Sequence, residues 1–403
     1  MKILMINLMP LTGSGSGVYV ENMSNALVRQ GHEVCVIFLD NRPFDDTGYK
    51  FKCHPIYFCD DDGNKPDVNA PVMPFNFPCL TTHPRSTFNY RDMTEEQEKA
   101  YCQAFREAIA QEVDEFKPDL IHSGHIWLTS AVASEFNLPL VITCHGTDIQ
   151  GFMESDRYHS YCRKAADSCG AIICISDKNA QEARECFPNN SEKAITMPNG
   201  YDSHVFYPEA HNRDEVLAQF GITKHYDKLV SFAGKFAHFK GIDILLRAAA
   251  DYEDENTATV LCGDGALFAE MEQLRDEELG LKNVYFLHNQ PHNVLRQIYN
   301  VADVSLAPSR NEPFGLVVIE AGACGTPVIG TNDGGIAGIL TPETGILIDP
   351  ESPEQLSAAV KDVLEGRKTF DRNRVAKATE EVFSQDALIL KTIDLYSDVI
   401  KNF

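Results

Sequence analysis

Two carboxylates separated by seven residues, Glu312 and Glu320, carry the clearest chemistry in this chain, within PSRNEPFGLVVIEAGACGTPVIGTNDGGIAG. The first lies in a Pro-containing loop, and the second falls about one turn into a helix that the pattern starts near Gly315, so both can face one ligand. Exposed amides at that helix start, with the helix dipole, form a ready anion site, whereas Glu320 can accept two hydroxyl hydrogen bonds, as from a ribose. A carboxylate cannot bind phosphate, so the division of labour is forced. Upstream, GKFAHFKG places Lys235 and Lys240 just after a strand, and CGDG, with Gly263 at its centre, closes the next strand in a tight turn. Two lysines beside a helix N-terminus suit a diphosphate.

The first half of the chain holds a second set. TGSGSGVYV puts Gly13, Gly15, Ser16 and Gly17 in a loop opening onto a helix, where glycines let backbone approach a phosphate. CHGTDIQG places His145, Thr147 and Asp148 directly after a strand, at the end where ligands of such sheets bind. THPRSTF offers His83 and Arg85 as holders of an anionic acceptor, with plain loop structure as the even alternative. Asp60, Asp61 and Asp62 imitate a metal-holding Asp-x-Asp but read better as a solvated turn. Twelve cysteines include no CxxC pair, so Cys162, Cys169 and Cys174 beside His159 read as buried small hydrophobes, and no metal is expected.

The elements that must position these residues follow a βαβ rhythm. Short apolar runs at 2–7, 34–39, 120–122, 140–143, 171–175 and 194–197 alternate with helical patterns at 18–30, 94–116 and 177–185. Residues 44–91, dense in Pro, Asn and Asp, read as long loops and short strands over one end of the sheet. MPNGYDSHVFYP breaks the period as an interdomain linker, and a second series of strands follows at 229–232, 259–262, 284–287, 304–307 and 328–330. The expected fold is α/β with two Rossmann-like doubly wound domains, residues 1–200 and 201–384, and a last helix at 385–403 packing back on the first. The chain has 403 residues, 43% hydrophobic and 23% charged, within the range of folded proteins. A formal net charge of −24, with both halves acidic, excludes nucleic acid as main partner and disfavours a membrane surface. The opening MKILMIN reads as a buried strand rather than a secretory leader, which points to a cytoplasmic protein with reduced thiols.

These residues, in this order and spacing, resemble the retaining glycosyltransferases of the GT-B fold, family 4, over nearly the whole chain. The resemblance rests on Glu312-x7-Glu320, the Lys235/Lys240 pair, the Gly-Asp-Gly turn and the N-terminal Gly-rich turn followed by GHEV. It implies transfer of a sugar from a nucleotide diphosphate sugar, a UDP-sugar in this reading, to a small polar acceptor, with retained configuration, without a metal or resident cofactor. The two domains would face an interdomain cleft. On that template Lys235 and Lys240 hold the diphosphate and Glu320 the ribose. Glu312 with the amides of Phe314, Gly315 and Leu316 takes the donor sugar and phosphate, His145 the donor sugar near the leaving oxygen. Gly17, Gly263 and Asn289 complete the donor side, and Ser16, His83, Arg85, Thr147 and Asp148 the acceptor side. The HGTD string is also similar to the enzymes that join N-acetylglucosamine to malate. Two rival classes are an NAD-dependent oxidoreductase, whose G-x-G-x-x-G spacing fails at its third glycine, and a silent sugar-nucleotide binding protein.

Overall fold

The computed structural model describes residues 1–81, 83–310 and 312–403; Thr82, which opens the THPRSTF motif, and Asn311 lie outside the described residues. The chain divides into two compact units, Met1–Asn199 with Leu388–Phe403, and Gly200–Ala387.

The first unit holds β1 (Lys2–Ile6), β2 (Glu33–Asp40), β3 (Lys52–Phe58), β4 (Val72–Met73), β5 (Leu120–Gly124), β6 (Leu140–Cys144), β7 (Ala171–Cys174) and β8 (Ala194–Thr196). They form one sheet in the order β4-β3-β2-β1-β5-β6-β7-β8, with every pairing parallel. Parallel strands covered on both faces need continuous apolar runs, and KILMI, LIHSG, LVITC and AIIC are buried almost throughout. One face packs on Tyr101, Phe105 and Ile109 of the helix Glu95–Glu115, which Thr94 and Gln97 open with a reciprocal capping box. The other face packs on Tyr19 and Met23 of the helix Gly15–Arg29 and on Ile389, Tyr396 and Val399 of the last helix, Gln385–Lys401. Residues 44–91, read as loops and short strands over one end, instead extend the sheet edge by the seven-residue β3 and by β4. Pro, His and Lys within β3 hide its strand character, but an outer strand tolerates a proline that a central one would not. Asp60 does form a turn, its carboxylate accepting from the Asp62 and Asn64 amides.

The second unit holds β9 (Lys228–Ala233), β10 (Thr257–Cys262), β11 (Val284–Phe286), β12 (Val304–Ala307), β13 (Val328–Thr331) and β14 (Gly345–Ile348), ordered β11-β10-β9-β12-β13-β14 and again wholly parallel. Its core gathers Val230, Phe232, Leu245, Leu261, Leu306 and Ile329. In each sheet the direction of winding reverses once, between β1 and β5 and between β9 and β12. Loops leaving the carboxyl ends of those strand pairs part there and open a crevice, the place where open α/β sheets bind ligands. All twelve cysteines are free, and no helix among the described residues is long and apolar enough to cross a membrane.

Candidate functional site

In the second unit the crevice between β9 and β12 collects the charged residues. Lys240 ends the loop after β9, and Glu312 lies in the loop after β12; Lys240 Nζ donates to Glu312 Oε2 at 2.6 Å, with both side chains largely buried. Glycines make this approach possible. Gly241 adopts φ 66°, and a Cβ there would sit 2.0 Å from the Pro308 carbonyl oxygen. Arg310 fixes the same two loops. Its guanidinium donates to the His238 carbonyl at 2.7 Å, spans both Asp243 oxygens at 2.9 and 2.8 Å, and pairs with Glu351, while its amide donates to the Phe239 carbonyl.

Glu312 is also held from behind. Gly335 donates its amide to the Glu312 carbonyl at 2.7 Å, and any Cβ on Gly334 or Gly335 would strike the Glu312–Phe314 backbone. Gly315, at φ 108°, caps the helix Leu316–Ala323, and the Glu312 side chain passes over it. Leu316 and Val317 therefore begin a helix whose first-turn amides have no partner within it. Glu320 sits inside that helix with 7% of its surface exposed. Burial pushes its carboxyl up to about 7 from 4.5, and Lys240 pulls it partly back. Lys235 leaves β9 half-buried in the same loop, and Phe314 is buried beside Phe383.

The Gly-Asp-Gly turn contributes differently from the expectation. Gly263 has φ 148°, its Cβ position falls 1.8 Å from the Gly234 carbonyl, and its amide is given to His288. It packs backbone on backbone against β9's loop. Asp264 accepts from His288 Nδ1 at 2.6 Å and from the Asn289 amide at 2.8 Å, so the amide of Asn289 is already spent and only its carbonyl and side chain remain.

In the first unit the crevice lies between β1 and β5, continued by β6. Asn7 follows β1, Gly124 ends β5 with His125 just after it, and His145 follows β6. The His125 and His145 rings lie 4.5 Å apart, Tyr19 meets His145 edge-on at 5.0 Å, and His122 bonds Thr143 and Tyr396. Burial holds all three histidines down at about 3, so they are neutral imidazoles at ordinary pH.

The acceptor-side residues are engaged with the protein itself. Asp148 spends both oxygens on backbone, accepting from the His145 amide at 3.1 Å and the Ile126 amide at 2.8 Å, and so ties the β6 loop to the β5 loop instead of facing an acceptor. His83 uses both ring nitrogens: Nδ1 accepts from the Arg85 amide, leaving the Nε2 proton for the Thr12 carbonyl, 3.2 Å away. Arg85 Nη1 is paired with the buried Asp40 at 2.6 Å, and its Nη2 is buried without a hydrogen-bond partner. Gly17 gives its amide to the Ser14 cap and packs against the Pro10 and Leu11 carbonyls, so Gly15 and Ser16 carry the open first-turn amides. Thr147 begins the helix Thr147–Glu154 behind Gly146.

Arg310, Gly334, Gly335, Asn7 and His125 take part in these two crevices without having been singled out from the sequence, and the Asp-Gly-Gly run after β13 is a local signal for two of them. Among the described residues, no three His, Cys, Asp or Glu side chains are arranged to hold a metal ion.

Comparison with known proteins places this geometry. Residues 13–205 match the model of Glycosyltransferase Family 4, and residues 214–382 that of Glycosyl transferases group 1. The D-inositol 3-phosphate glycosyltransferase of Corynebacterium diphtheriae is 26% identical over 99% of this chain and 95% of its own. Among solved structures, sucrose-phosphate synthase from Thermosynechococcus elongatus superposes with a TM-score of 0.73 at 23% identity over all of both chains. HepE of Anabaena, solved with UDP and glucose, gives 0.71 at 18% identity over 99% of this chain and 100% of its own. Two parallel α/β units of this kind are the GT-B fold.

Proposed function

We propose that this chain, which belongs to the group 1 and family 4 glycosyltransferases, transfers a sugar from a UDP-sugar to a small polar acceptor with retention of anomeric configuration. The observation that carries this reading is the placement of Lys240 and Glu312 on converging loops of one crevice, with Lys235 on the β9 loop and Glu320 in the helix whose first-turn amides belong to Leu316 and Val317. Breaking the anomeric carbon–oxygen bond moves negative charge onto the diphosphate. Fixed cations and amides aimed at that charge lower the barrier more than any other group in reach. Lys240, already held by Glu312 and by the loop that Arg310 pins, is pre-oriented for that task, and Glu320 accepts from the ribose hydroxyls.

No side chain is needed as nucleophile. Glu312 is engaged with Lys240, so attack from the same face, with the departing phosphate oxygen taking the acceptor's proton, fits the residues best. His145, assigned to the transferred sugar by the family likeness, does so as a neutral hydrogen-bonding group. The nucleotide sugar enters as co-substrate, so this reading calls for no resident cofactor and no metal. UDP as the carried nucleotide is supported by the HepE complex, and twelve free thiols support action in a reducing cytoplasm.

A thermal-shift series with UDP, GDP, ADP and NAD tests this. A nucleotide at 100 times its dissociation constant stabilises the fold by about 2.7 kcal/mol. UDP should give the largest shift; a shift with NAD alone would overturn the reading.

A further inference from the structure

Four side chains of the first unit join into one buried chain of hydrogen bonds. His122, in β5, is its second link. The His122 Nδ1 lies 2.5 Å from the hydroxyl of Tyr396, on the last helix, and the Nε2 lies 2.7 Å from the hydroxyl of Thr143, in β6. Thr143 Oγ1 in turn lies 3.2 Å from the hydroxyl of Tyr19, in the helix Gly15–Arg29. All four residues are buried, and the chain ties two strands to the two helices that cover this face of the sheet. Burying four polar groups where apolar ones could pack is costly unless each finds a partner, and a network in which each does so specifies one arrangement. This one ends at the crevice. Tyr19 meets the His145 ring edge-on at 5.0 Å, Thr143 stands two residues before His145, and Tyr19 lies one turn beyond Gly15 and Ser16 with their open amides.

Resting on the glycosyltransferase reading, we infer that Tyr396 is a positioning residue for the first unit's crevice: through His122 and Thr143 it fixes Tyr19, and Tyr19 fixes the His145 ring and the start of its own helix. The protons give the chain a direction. Burial keeps His122 neutral, and a neutral imidazole carries one proton, so it accepts through one nitrogen and donates through the other. Of its two neighbours the Tyr396 phenol is the more acidic and hence the better donor. It gives its proton to Nδ1, the Nε2 proton goes to Thr143 Oγ1, and Thr143 has its own proton for Tyr19. Removing the Tyr396 hydroxyl leaves Nδ1 buried without a partner and frees the ring to change tautomer. Nε2 then competes with Tyr19 for the Thr143 proton, and the brace on His145 loosens.

Tyr396→Phe and Tyr19→Phe each keep the ring and remove one hydroxyl, while Thr143→Ser keeps the middle hydroxyl and Thr143→Val removes it. Wild type, these variants and the Tyr19→Phe/Tyr396→Phe double variant are assayed for melting temperature and UDP-induced thermal shift. Well below every melting temperature they are assayed for acceptor-free hydrolysis of UDP-glucose, UDP-galactose, UDP-N-acetylglucosamine and GDP-mannose, and for transfer to glucose and myo-inositol. The expected result is an unchanged UDP shift and donor KM, with kcat lowered about five- to twentyfold in Tyr396→Phe, Tyr19→Phe and Thr143→Val and near wild type in Thr143→Ser. Because the hydroxyls act as one chain, the double variant should be no slower than the slower single one. Wild-type kcat in folded Tyr396→Phe, or losses that multiply in the double variant, overturn the inference and reduce the chain to packing, whatever the melting temperatures do. Should Tyr396→Phe not fold, wild-type kcat in Thr143→Val overturns it. A wild-type protein that binds no nucleotide and consumes no nucleotide sugar refutes the glycosyltransferase reading itself, and this inference with it.

Discussion

The two crevices occupy the same place in two similar sheets, yet one is built from charge and the other from neutral hydrogen-bonding groups. Beside β9 and β12 stand Lys235, the Lys240–Glu312 pair and Glu320. Beside β1 and β5 stand Asn7 and two histidines that burial keeps unprotonated, with the nearby Arg85 and Asp40 paired with one another. The topology supplies the location, and the loop residues supply the chemistry. A diphosphate leaving group demands charge that is already oriented, whereas sugar hydroxyls demand matched donors and acceptors and gain nothing from a net charge.

The sharpest way to break this contrast is to remove charge from the second unit. Lys240→Ala should lower kcat/KM by about 10²–10³-fold while leaving affinity for the free nucleoside nearly unchanged, because the lysine opposes the diphosphate and its developing charge. Equal losses for nucleoside and diphosphate in calorimetric titrations would show that the change merely damages the crevice. His145→Ala tests the neutral side. It should cost on the order of 10² in transfer rate with donor affinity retained. A lowered melting temperature with normal turnover would reduce His145 to a packing residue.

Glu320 separates binding from stability. Its carboxyl lies near 7 in the folded protein against 4.5 ordinarily, so the folded state holds the proton more tightly than the unfolded chain. Stability from that proton is complete below about 4.5 and is lost as pH rises through 7. Glu320→Gln should therefore raise the melting temperature at pH 8, by the equivalent of roughly 2–4 kcal/mol, and change it little at pH 4.5. The same substitution should weaken UDP about tenfold, since ribose loses a charged acceptor. In wild type, UDP affinity should rise with pH between 6 and 8 as the carboxylate forms; a flat profile would remove Glu320 from the ribose.

A further test concerns the first unit alone. Its three buried histidines have folded values near 3 against 6.5 unfolded, so the unfolded chain binds protons that the folded one refuses. Their contribution is complete above 6.5 and declines as pH falls towards 3. Trp127, the single tryptophan, is buried in this unit, and its fluorescence reports this unit's unfolding. The denaturation midpoint read at Trp127 should drop steadily from pH 6.5 to 4.5. A constant midpoint would show that the imidazoles protonate without resistance and that the neutral crevice is misjudged.

Much of this was legible in order along the chain. Apolar runs of three to six residues alternating with helical periods announced parallel units, because strands buried on both faces need such runs. The last helix, Gln385–Lys401, was marked by its own period and by having no strand of its own. Glu312 and Glu320 were readable together because seven intervening residues and one helix start fix their relation locally. What the sequence did not reveal was everything decided by remote partners. Lys240 meets Glu312 across 72 positions, Arg85 meets Asp40 across 45, and Asp148 reaches the Ile126 amide across 22. Local spacing shows neither the carboxylate that the fold sets beside Arg85 nor the acceptors that the Gly263 and Gly17 amides meet. The residue types and their local spacing determined which groups this protein possesses and which sheet ends carry them. Only the tertiary structure decided which stay available, because hydrogen-bond capacity and charge are consumed by neighbours that local spacing does not reveal, and burial then sets the protonation of what remains.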